Sequence, residues 1–247
     1  MEVELNENER IDDLEYKGLK IIQNTDGFCF GIDAVLLSDF AKEIRNNSNV
    51  LDLGTGTGIL SILLSEKTNL KKIYGIEIQE EVANMARRSV QMNNLENKVE
   101  IINANIKDLE EIFEKNSIDS IVTNPPYKKI QTGIQNENKA KFISRHEVTA
   151  NLDDFIKISS KLLKGKGNFY MVHRPERLAE IIYKLKENKL EPKKMRFVYS
   201  NENQEPKLVL IKATKNGREF VKVERPLFVY NEDGSYTDEI LEIYHKK

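Results

Sequence analysis

The stretch LDLGTGTG, residues 51–58, decides the fold of this chain. It follows an apolar run and precedes a segment rich in Ile and Leu, so it predicts a strand, a tight turn and a helix in succession. Its three glycines allow the backbone to turn sharply and allow a ligand to approach main-chain atoms without interference from a Cβ atom. The spacing is GxGxG, whereas a dinucleotide site usually has GxGxxG. The loop is therefore a candidate ligand site, and its spacing argues against an NAD-dependent oxidoreductase.

Polar side chains follow the next two predicted strands. Glu77 ends the second strand, where a carboxylate can accept both hydroxyls of a ribose through its two oxygens. Asn105 follows the third strand, where a side chain that both donates and accepts suits an adenine ring. Together these features predict a nucleoside-containing cofactor. The alternatives are a plain strand-to-helix turn with a chance acid, and an asparagine that only caps the helix starting near Lys107.

From residue 49 onward, short apolar runs alternate with amphipathic stretches, which is typical of βαβ units around a parallel sheet. The seven predicted strands are 50–53, 73–77, 99–103, 118–124, 168–173, 196–200 and 207–213. The predicted helices between them are 58–67, 80–93, 107–115, 152–163 and 177–188. A polar turn at 201–206 joins the last two strands and predicts a terminal hairpin.

The segment before the sheet is too small for a separate domain. Residues 19–23 and 28–30 predict two strands about a turn at 24–27, and 33–44 predicts a helix. We therefore expect residues 1–48 to form an N-terminal flank, a hairpin and a helix, on a main domain that spans residues 49–247.

The reaction chemistry is indicated by Asn124, Pro125, Pro126 and Tyr127, at the end of the fourth strand. Open α/β sheets bind substrates outside the carboxyl ends of their strands. The side-chain oxygen of Asn124 and the carbonyl of Pro125 can accept the two hydrogens of a planar NH2 group, and Tyr127 can offer a π face to a base. This arrangement predicts alignment of an exocyclic amine for attack on a methyl sulfonium, where positioning does much of the catalysis. The alternative is a rigid Pro-Pro turn beside a core tyrosine.

Composition excludes several classes of protein. With 39% hydrophobic and 32% charged residues the chain is a globular protein, and its apolar runs are far shorter than the ~18 residues of a membrane span. One cysteine allows no internal disulfide, and three histidines without ligand spacing predict no metal. The acidic start is unlike a signal peptide, so we expect a cytoplasmic protein. The net charge of -2 conceals basic runs at 128–147 and 184–196, which are either solvated faces or polyanion contacts.

In this order, LDLGTGTG, GIE (75–77) and NPPY (124–127) resemble the class I S-adenosylmethionine-dependent amino-methyltransferases, over roughly residues 49–213. The resemblance implies a Rossmann-like α/β fold with a seven-stranded, mostly parallel sheet, helices on both faces and an antiparallel last strand. The NPPY signature is shared by enzymes that methylate adenine, guanine or cytosine amines and by enzymes that methylate a glutamine amide in protein. It therefore identifies the atom type and leaves the molecule open.

Further segments extend the resemblance over nearly the whole chain. ERIDDL (9–14), IIQ (21–23), FCFGIDAVLLSDF (28–40), RHE (145–147) and HRPERL (173–178) are similar to the bacterial tRNA(Val) adenosine N6-methyltransferase family. This resemblance implies S-adenosylmethionine as cofactor, tRNA as partner and the adenosine just 3′ of the anticodon, adenosine 37, as target. The short apolar runs predict no membrane contact, and the absence of a second domain for reading a duplex argues against DNA; we also expect no obligate protein partner.

The resemblance also assigns residues. The target adenine is expected at Asn124, Pro125, Pro126 and Tyr127. The expected cofactor contacts are Phe30, Gly31, Asp33, Ala34, Asp52, Gly54, Thr55, Gly56, Gly58, Glu77, Ile78, Asn105, Ile106 and Asn124. The expected RNA contacts are Lys128, Lys129, Arg145, His146 and Arg174.

Several alternatives remain open for these residues and for the function. Asp33 could simply cap the helix it begins, and Arg174 could form a structural salt bridge with its neighbours. The target could be a base amine in ribosomal RNA or a glutamine amide in protein, although glutamine methyltransferases normally carry a separate helical N-terminal domain. A module that binds nucleoside or RNA without catalysis would have no use for an intact NPPY segment.

Overall fold

The computed structural model describes residues 4–25, 31–127 and 150–245. The N-terminal elements are β1 (Glu9–Asp13), β2 (Lys20–Asn24) and α1 (Ile32–Phe40). The first half of the main domain comprises β3 (Asn49–Leu53), α2 (Ile59–Lys67), β4 (Lys72–Glu77), α3 (Glu80–Met92), β5 (Val99–Asn103), a 3₁₀ helix (Ile106–Glu111) and β6 (Ile118–Thr123). The second half comprises α4 (Leu152–Leu162), β7 (Leu163–His173), a 3₁₀ turn (Pro175–Arg177), α5 (Leu178–Glu187), β8 (Leu190–Tyr199), β9 (Pro206–Lys215), β10 (Lys222–Val223), β11 (Leu227–Phe228) and α6 (Asp238–Ile243).

The main sheet has the strand order β10-β8-β9-β7-β6-β3-β4-β5, with β11 beside β8. β9 runs antiparallel to both of its neighbours, and the other described pairings in this sheet are parallel. The predicted mostly parallel sheet and the terminal hairpin of β8 and β9 are therefore confirmed. The count of seven strands was too low, because β10 and β11 add two residues each along β8 and are too short to show an alternating pattern.

β3 is the strand at which the chain changes direction across the sheet. It pairs with β4 on one side and with β6 on the other, so the chain leaves β3 toward β5 at one edge and returns to the opposite side at β6. Open α/β sheets bind ligands outside the carboxyl ends of the strands at such a switch point. The ends of β3, β4 and β6 meet there.

Helices cover both faces of the sheet, as predicted. One buried hydrophobic cluster contains residues of α1, α2, α3 and α6, and the other contains residues of α4, α5 and the 3₁₀ helix. Side chains along β3 point alternately to the two faces of the sheet, so Val50 packs in the first cluster and Leu51 and Leu53 pack in the second. None of the helices in the described ranges combines the length and the apolar character needed to cross a bilayer.

Three local predictions need correction. The helix predicted at 107–115 is the 3₁₀ helix Ile106–Glu111, whose two buried residues, Ile106 and Leu109, are three positions apart, the period of that helix. The first helix is Ile32–Phe40 rather than 33–44. β2 pairs with the acidic segment Glu9–Asp13, which was not predicted as a strand, while the partner predicted at 28–30 lies outside the described residues. The division of the chain at residue 48 remains a prediction.

The N-terminal hairpin is held by polar side chains of α3. The Ile22 N–H donates to Ser89 Oγ at 2.9 Å in a buried position. The Lys20 N–H donates to Asn93 Oδ1, and Asn93 Nδ2 donates back to the Lys20 carbonyl. Arg88 makes two hydrogen bonds to the two oxygens of Glu9, at 2.6 and 2.7 Å. Side chains of α3 thus help to fasten the hairpin to the main sheet domain.

Replacing Ser89 tests this attachment. Ser89→Ala leaves the buried Ile22 N–H without its acceptor, so we expect the free energy of unfolding to fall by about 1–3 kcal/mol in urea denaturation. Ser159→Ala is the matched control, because the Ser159 hydroxyl is also buried and donates to the carbonyl four residues earlier, as that of Ser89 does. Equal losses in the two variants would contradict the interpretation.

Candidate active site

The glycine loop joins β3 to α2 through left-handed backbone. The loop glycines have φ values of +72°, +58° and +90° at Gly54, Gly56 and Gly58, a region that other residues rarely adopt. The N–H groups of Gly54 and Thr55 both donate to the Ile76 carbonyl at 2.9 Å. These hydrogen bonds fix the loop against the carboxyl end of β4.

The three glycines have different surroundings. A Cβ atom added at Gly56 would meet no atom within 4 Å, and one added at Gly54 would meet only the Phe155 ring, at 3.5 Å. A Cβ at Gly58 would lie 3.3 Å from the Ala86 Cβ on α3. Gly56 consequently faces open space, whereas Gly58 allows α2 and α3 to pack closely.

Asp52 lies beneath the loop and is buried. Its Oδ2 accepts hydrogen bonds from Thr55 Oγ1 at 2.6 Å and from Ser61 Oγ at 2.8 Å. Burial raises the pKa of the Asp52 carboxyl to about 6, and the two hydroxyl donors oppose that shift. Asp52 and Thr55 were both predicted as cofactor contacts. In the structure they are hydrogen-bonded to each other, and this bond stabilises the conformation of the loop.

Glu77 ends β4 directly beside the loop and is also buried. Its Oε2 accepts the Gly56 N–H at 3.1 Å, and its Oε1 accepts the Gln79 N–H at 2.9 Å. Each carboxylate oxygen retains a second lone pair, so the fixed carboxylate can still accept two hydroxyl donors. Ile78 follows it, half-buried.

The end of β5 carries two asparagines with different bonds. Asn105 Oδ1 accepts the Lys107 N–H at 3.0 Å, so Asn105 does cap the 3₁₀ helix, the alternative considered for it. Asn103 Nδ2 donates to the carbonyls of Glu77 and Ile78, at 2.8 and 3.0 Å. Asn103 therefore positions the segment that carries Glu77, a role that the sequence did not indicate.

Tyr127 links the end of β6 to the N-terminal flank. Its hydroxyl lies 2.7 Å from Asn124 Oδ1 and 2.5 Å from Asp33 Oδ2, and donates its one proton to this pair of acceptors. Burial, with the negative charge of Asp33, raises the pKa of Tyr127 far above its usual range, so the hydroxyl stays protonated. No side-chain cap bond forms at the start of α1, so Asp33 contacts the NPPY segment instead of capping the helix.

Residues at the end of β7 and directly after it contact the ring and the carbonyl of Tyr127. The Arg174 guanidinium lies 5.2 Å from the Tyr127 ring centroid, and the His173 ring lies 5.1 Å from it. Arg177 donates to the Tyr127 carbonyl at 3.5 Å and forms a salt bridge with Glu180 at 3.0 Å. His173 was not assigned to the site from the sequence, although its position at the carboxyl end of a parallel strand is the signal that could have found it.

The remaining predicted residues divide into three groups. Gly31 is the extended residue that precedes α1. Ala34 and Ile106 are buried, one in each hydrophobic cluster, so their side chains face the core. The predicted contacts outside the described residues are Phe30, Lys128, Lys129, Arg145 and His146.

Comparison with known proteins identifies a family and similar relatives. The family described as "Methyltransferase domain" matches residues 44–223. The tRNA1(Val) (adenine(37)-N6)-methyltransferase of Porphyromonas gingivalis is 28% identical over 204 residues, 81% of this chain and 79% of that protein. The Haemophilus influenzae protein of the same name is 24% identical over 230 residues, 92% of this chain and 94% of that protein. The resemblance stated from the sequence motifs is confirmed.

Solved structures share the fold. A predicted O-methyltransferase from Agrobacterium tumefaciens has a TM-score of 0.70 at 18% identity and covers 86% of this chain and 95% of that one. TYW2 of M. jannaschii, in complex with AdoMet, has a TM-score of 0.58 at 17% identity and covers 86% and 88%. The predicted class I methyltransferase architecture is confirmed.

The buried carboxyl of Asp52 makes stability depend on pH. The pKa of Asp52 is about 6 in the folded protein and 3.8 when unperturbed, so between these pH values the folded state binds a proton that the unfolded state does not. The free energy of unfolding therefore falls as the pH rises through this window. Asp52→Asn removes this titration. We expect the variant to gain about 3 kcal/mol of unfolding free energy relative to the original chain between pH 4 and pH 7, measured by chemical denaturation.

Asp233→Asn is the control for this measurement. The pKa of the exposed Asp233 is lowered by its bonds to Ser235, so its titration lies below pH 4, and we expect the stability difference for Asp233→Asn to stay nearly constant between pH 4 and pH 7. A stability difference for Asp52→Asn that does not change with pH would contradict the assignment.

Proposed function

We propose that this chain, which belongs to the methyltransferase domain family, transfers a methyl group from S-adenosylmethionine to the N6 amine of an adenosine in tRNA. The observation that carries this proposal is the position of Asn124 to Tyr127 beside the glycine loop. β3 and β6 are neighbours, Leu53 pairs with Thr123, and Thr123 Oγ1 donates to the Leu53 carbonyl at 2.8 Å. The segment that we propose to hold the amine and the loop that we propose to hold the nucleoside therefore lie at the same edge of the sheet.

The described residues fit the cofactor. The space over Gly56 is open, and the Glu77 carboxylate is fixed by two N–H donors with lone pairs to spare for a ribose diol. We assign the cofactor to Gly54, Gly56, Glu77, Ile78 and Asn105 at this edge of the sheet. When bound, S-adenosylmethionine supplies a methyl carbon on a sulfonium; the amine nitrogen takes that methyl and releases one proton, and S-adenosylhomocysteine remains.

The chain's own residues act by position. Asn124 Oδ1 and the Pro125 carbonyl accept the two hydrogens of the target amine and align its nitrogen toward the cofactor. Pro125 and Pro126 have no N–H, so they place no competing donor there. Tyr127 offers its ring to the flipped base. In this structure the Tyr127 hydroxyl lies 2.7 Å from Asn124 Oδ1, so the target amine takes the place of that hydroxyl.

The substrate within this chemistry follows from the relatives. Proteins named tRNA1(Val) (adenine(37)-N6)-methyltransferase match this chain over most of its length, which supports adenosine 37 of tRNA(Val) as the target. That substrate would place the enzyme in the cytoplasm. Arg174 lies at the mouth of the site, against Tyr127, where a guanidinium can contact RNA phosphate. Lys128, Lys129, Arg145 and His146 are proposed to extend this surface.

The test is methylation of tRNA. The protein is incubated with S-adenosylmethionine and tRNA from a strain that lacks the modification, and the digested nucleosides are quantified by mass spectrometry. We expect new N6-methyladenosine, and a loss of about 100-fold or more in rate for Asn124→Ala, because the amine loses its side-chain acceptor. Asn168→Ala is the control, since Asn168 lies within β7 and accepts a hydrogen bond from Thr214 Oγ1.

Two results would contradict the proposal. Methylguanosine alone, or no methylated nucleoside, would exclude adenosine in tRNA and lead to ribosomal RNA and protein glutamine as substrates. An unchanged rate for Asn124→Ala would exclude the assigned role of Asn124.

A further inference from the structure

His173 is a buried histidine beside the catalytic tyrosine. It is the last residue of β7, next to β6 in the sheet, where Met171 pairs with Thr123. Its ring and that of Tyr127 are tilted by 59°, with centroids 5.1 Å apart. The proposed mechanism gives this histidine no role.

The hydrogen bond at Nδ1 determines the protonation of the ring. The Arg174 backbone N–H donates to Nδ1 at 2.7 Å, so Nδ1 carries no proton and Nε2 does. Burial lowers the pKa of His173 to about 4; the hydrogen bond with the Arg174 backbone opposes this shift, the charge of Arg177 adds to it, and the charges of Glu180 and Glu176 oppose it. At neutral pH the ring is an uncharged donor at Nε2.

The Nε2–H group is buried and has no hydrogen-bond partner among the residues that the structure describes. Buried donors in folded proteins are nearly always satisfied. The π face of an aromatic ring can accept an N–H, and the spacing and tilt of the Tyr127 ring suit that contact.

We propose that His173 is the positioning residue for Tyr127: its Nε2–H donates to the face of the Tyr127 ring and sets the orientation in which that ring receives the target base. The hydroxyl of Tyr127 is already held by Asp33 and Asn124, and its carbonyl by Arg177. Together with Arg174 beside the ring, the contact from His173 restrains rotation of the ring plane. This role rests on the proposed function, because it concerns the base that Tyr127 stacks against.

Nuclear magnetic resonance tests the contact without any RNA. The chain has three histidines, so long-range 1H–15N spectra of the imidazoles can be assigned with single variants. We expect His173 to carry its proton on Nε2 from pH 5 to pH 8, and its Nε2–H signal to show a ring-current shift that disappears in Tyr127→Leu. A proton on Nδ1, or a signal unaffected by Tyr127→Leu, would overturn the inference.

Kinetics test the consequence. Gln and Met have similar length, and only Gln offers an N–H near the position of Nε2. We expect His173→Gln to keep kcat within about threefold and His173→Met to lose on the order of tenfold, with the KM for S-adenosylmethionine unchanged in both. Equal kcat values for the two variants would overturn the role of the N–H group, whether both are active or both impaired.

His245→Met is the matched control. His245 also packs edge-on against a tyrosine, Tyr16, at 4.7 Å, and it lies near the C-terminal helix away from the site. Its replacement should leave kcat unchanged. If the original chain methylates no tRNA, the proposed function fails, and the resonance experiment still decides where the His173 proton lies; if only the two His173 variants behave alike, the further inference alone fails.

Discussion

The candidate site depends on one constraint: β3, β4 and β6 are parallel and in register, so their carboxyl ends stop at the same edge of the sheet. Leu53 pairs with Ile76 on one side and with Thr123 on the other. The residues that follow these strands therefore meet although they are distant in the chain. The glycine loop, Glu77 and Asn124 are thereby brought to one edge of the sheet by backbone pairing alone. Side chains then adjust the site only locally, as Asp52 does beneath the loop and Asn103 does beside Glu77.

Those parts of the fold and site that depend on local pattern could be predicted from the sequence. The long strands, the amphipathic helices and the glycine turn follow from apolar periodicity and from residues that need left-handed backbone. Pairings between distant segments could not be predicted, because an acidic stretch such as Glu9–Asp13 shows no strand pattern and forms one only against β2. The same reason applies to side chains. The bond of Asp33 to Tyr127 was not predicted, since nothing local to residue 33 indicates what it faces.

Tyr127 is the residue at which three separate parts of the chain meet. Asp33 of the N-terminal flank takes part in binding its hydroxyl, His173 at the end of β7 and Arg174 directly after it contact its ring, and Arg177 contacts its carbonyl. The flank thus contributes a side chain to the candidate site. A short N-terminal segment suffices for this, because α3 fastens the hairpin and α1 carries Asp33 directly to the end of β6.

The attachment of the hairpin to α3 also covers one edge of its two-stranded sheet. A two-stranded sheet leaves backbone donors and acceptors open along its outer sides, and such an edge can recruit a strand from another molecule. On the side of β2 away from β1, Ser89 and Asn93 occupy the backbone groups of Ile22 and Lys20 that a foreign strand would need. Side chains of α3 thereby take the place of a neighbouring strand, and the β2 edge of the hairpin is closed to intermolecular β-pairing.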